Sequence, residues 1–146
     1  MAYSGKFIPI YPLKYKGDHT NIIFRSSWER LVFMYLDKNP DVKFWQSEEF
    51  FIPYICSTDN KIHRYFIDCM VEFYSGAKFL IEIKPKCQTI KPLMKKGKKT
   101  KSFILECYTY SKNSSKWTYA MEYCRNHGFV FQIWTEETLR NLGIKI

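Results

Sequence analysis

The chain has 146 residues, 46% of them hydrophobic and 18% aromatic, and a formal net charge of +9. That length and apolar content suit one folded domain over 1–146 and exclude a disordered polyelectrolyte. No run of side chains is long and apolar enough to cross a bilayer, and the N-terminus lacks the apolar stretch of a secretory signal, so a soluble, unexported protein is expected.

Residues 1–24 mix proline, lysine and aromatics and read as an N-terminal arm. Its Tyr3, Phe7, Tyr11 and Tyr15 would staple the arm to its own core or stack on unpaired bases. In "RSSWERLVFMYLDKNP" the helical spacing of Trp28, Leu31, Val32, Tyr35 and Leu36 predicts a helix stopped by Asn39-Pro40, with Ser26 and Glu29 spaced as a capping box. Strands are expected at Val42–Trp45 and at Phe50–Ile55, where Pro53 favours an edge or an irregularity. "STDNK" then turns the chain.

"HRYFIDCMVEFY" and "KFLIEIK" are the clearest strands, joined around Ser75-Gly76. With a three-residue loop, Tyr74 to Gly76, and Gly76 left-handed, Phe73 faces Ala77 and paired residue numbers sum to 150. Glu72 then faces Lys78, a favourable cross-strand pair, and Asp68 faces Glu82. A two-residue loop would send Asp68 and Glu82 to opposite faces of the sheet. Further on, "SFILECYTYSK" and "SSKWTYAMEYCRNHG" read as two helices, the second with Trp117, Ala120, Met121 and Cys124 on one face. "FVFQIWT" reads as a strand, and Thr135 as the cap of a last helix from Glu136 to about Leu142. The order implies an α/β fold, a mixed sheet flanked by helices.

Five cysteines, odd in number and without a Cys-x-x-Cys pair, argue for a reducing compartment and against a disulfide framework. Cys124 with His127 has metal-like spacing, but Cys56 and His63 match it only loosely, so buried or incidental side chains are expected rather than zinc. The charge is more telling. Eight lysines and no acid lie in 84–101, leaving 15 basic and 14 acidic residues elsewhere. A solvated loop or a polyanion-binding loop over 86–101 would both look like this, with DNA or RNA ahead of anionic lipid as the partner.

The chemistry centres on the end of the predicted hairpin. Asp68 and Glu82 on one face make a hard, oxygen-rich site of the kind Mg²⁺ or Mn²⁺ takes, with the carbonyl of Ile83 as a further ligand. Lys84, two residues past Glu82, shares its face and would orient an attacking water and stabilise charge on a phosphorane. A solvated salt bridge at a sheet end is the bland alternative. Glu48 or Glu49 would be a further acid near the metal or, the favoured reading, solvated at a helix or strand end, and His63 a general base or a packed or exposed strand residue. Arg64 would touch a phosphate or form a surface ion pair. Lys86, Lys91, Lys95, Lys96, Lys98, Lys99 and Lys101 would hold a nucleic-acid backbone without reading its sequence.

Asp68 followed by Glu82-Ile83-Lys84 resembles the D…(D/E)-x-K signature of the restriction-endonuclease-like, PD-(D/E)xK superfamily. "MAYSGK", "FRSSWERLVFMYLDKNPDV", "WQSEEFFIPY", "RYFID", "EIKPK", "YTYSKNSSKW" and "WTEETLRNLG" together resemble the head-completion nucleases of T4-like tailed phages over nearly the whole chain. The resemblance implies a restriction-endonuclease-like core and a Mg²⁺-dependent DNA endonuclease acting at phage head completion. It implies DNA and phage head, portal or neck proteins as partners, and no small-molecule cofactor. The expected setting is the host cytoplasm, with incorporation into the virion. It also implies a catalytic carboxylate on the first helix, where Glu29 matches; transposon end-cleaving nucleases place a glutamate similarly. The proline usual before the aspartate is Ile67 here. The rival readings are a non-catalytic DNA-binding or virion assembly protein of the same fold and, among enzymes, a junction resolvase.

Overall fold

Ser26 has an extended backbone (φ −154°, ψ 162°), and its Oγ accepts the N–H of Glu29 at 3.1 Å, which starts α1 at Ser27–Lys38. The computed structural model describes residues 3–146. Val32, Phe33 and Leu36 of α1 are fully buried. The far end of the helix is tied to the preceding chain. Asp37 accepts the N–H of Ile10 (2.8 Å) and Tyr11 (3.3 Å), and Lys14 Nζ donates to the carbonyls of Asp37 and Asn39, which lack helical partners.

Residues 5–24 therefore pack on the core. β1 (Gly5–Phe7) and β2 (Ile22–Phe24) form an antiparallel ribbon. Phe7 lies edge-on to Phe33 and Trp45, Tyr15 is buried, and Tyr3 stacks on Phe24 at 5.4 Å between ring centroids. Tyr11 is exposed. Of the two uses expected for the arm's aromatics, Tyr3, Phe7 and Tyr15 take the stapling one.

Four strands make the central sheet in the order β3 (Val42–Gln46), β6 (Cys69–Phe73), β7 (Lys78–Ile83), β8 (Val130–Trp134). The first three are antiparallel neighbours, and β8 runs parallel to β7 after a crossover through α2 (Lys101–His127). Flanking the sheet are α1, α2 and α3 (Glu136–Asn141), so the mixed sheet with helices on it is the architecture expected. The β6–β7 register is the expected one. Glu72 faces Lys78, Cys69 faces Ile81, Phe73 N–H donates to Ala77 O at 2.9 Å, and Gly76 has φ 93°. Only glycine adopts that left-handed angle freely, so a side chain there would strain the turn.

Two predicted elements differ. The strand expected through 63–74 is broken at Ile67-Asp68. β5 (Ile62–Phe66) leaves the sheet to pair with β4 (Phe51–Ile55), and only β6 continues in it. At the break the Ile67 carbonyl accepts the N–H of Glu48, a residue held at φ 53°. Pro53 is tolerated because a two-stranded ribbon has only edges. The two helices expected over 102–128 are one. Ser115 Oγ donates to the Ser111 carbonyl and accepts the N–H of Ser57 from the β4–β5 turn, so the serine-rich middle is held in the helix by tertiary bonds. Met121 is 49% exposed, and Asn113, at 4%, takes a place on the inner face with Trp117, Ala120 and Cys124.

The sheet separates two apolar clusters. Odd-numbered Cys69, Val71, Ile81 and Ile83 pack with α1, whereas even-numbered Met70 and Leu80 pack with α2 and with Ile52, Tyr54 and Tyr65 of the β4–β5 ribbon. Parity along β6 and β7 thus says which layer a side chain meets.

Candidate active site

Glu82 is a buried acid in a central strand, 3% exposed, with β6 on one side and β8 on the other. Such a group needs partners. The Tyr65 hydroxyl donates to its Oε2 at 2.6 Å, and Lys84 Nζ lies 3.4 Å from its Oε1. Asp68 follows the break before β6, half-buried, and its Oδ2 accepts the N–H of Ile83 at 2.8 Å. That bond continues the hairpin one step past the last ladder pair, Cys69 with Ile81. Glu82 and Lys84 continue the even-numbered, α2 side of β7, whereas Asp68 sits at the break, where Ile67 already packs with the α2 layer and parity no longer applies; the Ile83 N–H is what ties Asp68 to the end of β7.

The electrostatics at this end are dominated by crowded acids. Burial first, then the charges of Glu82 and Glu29, push the Asp68 carboxyl well above its ordinary range; the Ile83 N–H and Lys84 oppose the shift. Burial likewise raises Glu29, Glu48 adds to the effect, and hydrogen bonds from the Arg25 N–H and Ser26 counter it. Glu29 Oε1 accepts from the Arg25 N–H at 3.4 Å, and its Oε2 lies 3.3 Å from Ser26 Oγ, so its carboxylate serves the helix start while sharing a field with Asp68. Glu48 is gripped by the Arg25 guanidinium at 3.0 Å and 3.1 Å. Glu49 accepts from the buried Tyr15 hydroxyl at 2.6 Å, a bond that belongs to the packing of the N-terminal residues.

Other predicted positions lie apart from the acids. On β5, His63 Nε2 bonds Asp59 Oδ2 at 2.8 Å, and the Arg64 guanidinium lies over the Phe51 ring at 5.0 Å. Lys86 is anchored to α3, its N–H to Glu136 and its Nζ to Glu137 at 2.8 Å. Lys91, Lys95, Lys96, Lys98, Lys99 and Lys101 are exposed between β7 and the start of α2 and make no ion pair with a described residue.

Cys56, Asp59 and His63 at the β4–β5 turn bring ligand atoms within 4.8 Å of one another. Each already has a protein partner: Cys56 Sγ meets Thr58 Oγ1 at 2.9 Å, and Asp59 takes both His63 and the Lys61 N–H. The crowded negative charge lies at Asp68, Glu82 and Glu29, three carboxylates with the Lys84 ammonium in contact with only one of them, Glu82. An all-oxygen set with crowded carboxylates fits a hard divalent cation.

Two side chains at the site escaped sequence reasoning. Tyr65, three residues before Asp68, reads as an ordinary strand aromatic, and only the chain break turns its hydroxyl into the partner of Glu82. Lys116 on α2 has its ammonium 5.5 Å from the Tyr65 ring centroid. Burial lowers its proton affinity, and Glu82 opposes that shift. A charge inside the apolar stripe of Trp117, Ala120 and Cys124 was the signal for Lys116.

A family model described as the TnsA-like endonuclease N-terminal domain matches residues 39–136, a span that holds Asp68, Glu82 and Lys84 and leaves Glu29 outside. The chain is also 45% identical over 148 aligned residues to the head completion nuclease of Enterobacteria phage T4, covering 99% of each protein. Sheet order, flanking helices and family match agree on a restriction-endonuclease-like fold. The chain belongs to the TnsA-like endonuclease N-terminal family.

Proposed function

We propose that the protein is a divalent-metal-dependent DNA endonuclease of the PD-(D/E)xK type that processes DNA during phage head completion. The observation that supports this reading is the end of β7, where buried Glu82 lies 3.4 Å from the Lys84 ammonium and its charge adds to the burial that raises Asp68. Kinship with a T4 protein named for nuclease activity in head completion supports the biological setting. A structural salt bridge alone would not explain why a second and a third carboxylate share the same field.

In this mechanism Asp68, Glu82 and the Ile83 carbonyl would hold Mg²⁺, with Mn²⁺ an alternative. Bound there, it would supply Lewis-acid polarisation of the scissile phosphate and a more acidic water. Tyr65 fixes the Glu82 carboxylate through its 2.6 Å bond, so little reorganisation is needed on substrate binding. Lys84 orients the attacking water and offsets charge on the non-bridging oxygens. Glu29 completes the acid set from α1. Arg64 and the lysines from Lys86 to Lys101 hold the DNA backbone; Lys86 and Arg64 first exchange their present partners, Glu137 and the Phe51 ring. Residues 1–146 act as one nuclease domain in the host cytoplasm, with phage head or portal and neck proteins as protein partners and a place in the virion.

Plasmid DNA incubated with purified protein and Mg²⁺, beside an EDTA control, tests the reading. Metal-dependent nicking or linearisation is expected. Binding without cleavage would move the assignment to a non-catalytic DNA-binding or assembly protein, and preferential cutting of branched DNA would move it to a junction resolvase.

A further inference from the structure

Lys116 is poorly explained as a structural residue. It is half-buried on the face of α2 that meets the sheet, beside Trp117 and one turn from Asn113 and Ala120, all three of them buried. A lysine in such a place usually extends its ammonium to solvent while the stem covers apolar surface. Here the ammonium stays over the ring of Tyr65, the residue whose hydroxyl holds Glu82. Five lysine or arginine ion pairs and the His63–Asp59 contact occur among the described residues, and Lys116 is in none of them. Asn113, one turn earlier, is also buried, and its Nδ2 has no partner. Two successive turns of α2 thus carry unmatched donors along the layer that contains the acids.

The acids already have one cation in contact, Lys84, which lies against Glu82. Phosphodiester hydrolysis develops charge on more than one non-bridging oxygen, and a single ammonium held by a carboxylate leaves part of it uncompensated. An unpaired ammonium within the field of Asp68 and Glu82, yet bound to neither, is free to meet an incoming anion.

We propose that Lys116 is a substrate-contacting cation of the active site, its Nζ meeting a non-bridging oxygen of the DNA phosphate that lies next to Asp68 and Glu82. This rests on the nuclease reading above and adds a contact from α2, an element that reading leaves without a role in the site. Tyr65 then has two tasks: its hydroxyl orients Glu82, and its ring supports the Lys116 ammonium by a cation–π contact until the phosphate arrives.

Lys116→Met keeps the aliphatic stem over Tyr65 and removes the charge; Lys116→Arg keeps a charge. Binding to a short DNA duplex is measured in EDTA across a salt series, and single-turnover cleavage of the same duplex is measured with Mg²⁺. The Met variant is expected to melt like the parent, to lower the slope of log affinity against log salt by about 0.9, the value of one phosphate contact, and to cut about 100-fold more slowly. The Arg variant should recover the slope and most of the rate. Parental slope and rate in the Met variant overturn the proposal. So does equal impairment of both variants, which would assign the effect to stem packing, and so does a lowered slope with an unchanged rate, which would put the contact away from the acids. If the parent protein leaves DNA uncut with Mg²⁺, the nuclease reading fails on its own, and an unaltered salt slope in the Met variant would separately remove the phosphate contact.

Discussion

Asp37 and Asp68 are both aspartates withdrawn from solvent, and the protein treats them in opposite ways. Asp37 sits in the last turn of α1, 1% exposed, and its two oxygens meet the N–H groups of Ile10 and Tyr11, while Lys14 closes the carbonyls beside it. Its surroundings supply donors. Asp68 receives one N–H, from Ile83, and the charges of Glu82 and Glu29 outweigh the opposing charge of Lys84. Its surroundings supply acceptors. A carboxylate matched by donors holds a fold together, whereas one crowded by other carboxylates is paired only when a cation arrives.

The largest effects separate the two sites outright. Asp68→Ala or Lys84→Ala should reduce plasmid cleavage by at least ~10³-fold, on the order of 4 kcal/mol of transition-state stabilisation, while thermal unfolding stays cooperative. Asp37→Ala should do the reverse. Leaving the Ile10 and Tyr11 N–H groups without their charged acceptor costs about 2–4 kcal/mol of stability, and the protein that remains folded should cut normally. Cleavage by Asp68→Ala at the parental rate would end the assignment of that residue to the site.

A smaller effect reads the crowding directly. The native Asp68 carboxyl is raised above its unfolded value, so between the two the native state holds a proton that the unfolded chain has released. Stability from this group is complete below the ordinary carboxylate range and is lost as pH rises through the raised native value. Metal-free protein should therefore lose melting temperature on going from mildly acidic to neutral pH, and Asp68→Asn should flatten that slope and melt higher at neutral pH. Mg²⁺ at about a hundred times its Kd should restore about 2.7 kcal/mol to the parent and much less to Asp68→Asn. A parent that gains nothing from Mg²⁺ would show that the acids bind no cation.

The same contrast explains what was legible in the sequence. The β6–β7 register followed from local rules: Gly76 permits the left-handed turn, and the Glu72–Lys78 pair fixes which residues face one another. That register put Asp68 opposite Glu82, and the bond from the Ile83 N–H to Asp68 joins the two ends of the hairpin. The anchoring of the N-terminal residues was not legible, because the donors that meet Asp37 are backbone groups some 27 residues away and carry no side-chain signature. The single long α2 was hidden by low helix propensity at Asn113-Ser114-Ser115, which tertiary bonds from Ser57 override. The break at Ile67-Asp68 was hidden too, since the strand pattern runs through it unchanged. Tyr65 depends on that break and Lys116 on that helix, so the Tyr65 bond to Glu82 and the Lys116 contact with the Tyr65 ring were out of reach.

The finest test concerns Glu29, which stands between the two kinds of acid because it both supports a helix start and shares the field of Asp68. Ser26→Ala removes the hydroxyl that accepts the Glu29 N–H and should cost about 1 kcal/mol in unfolding, with a change in cleavage rate well below that of removing the Glu29 charge. Glu29→Gln keeps a side-chain oxygen able to accept the Arg25 N–H, but it removes the charge. Its melting should stay within about 0.5 kcal/mol of the parent while cleavage slows about tenfold, a loss near 1.4 kcal/mol. The two substitutions are then similar in size and opposite in where the effect appears. If Glu29→Gln instead lowers the melting temperature as Ser26→Ala does and leaves the rate alone, Glu29 sides with Asp37 as a structural acid, and the site is complete with Asp68, Glu82 and Lys84.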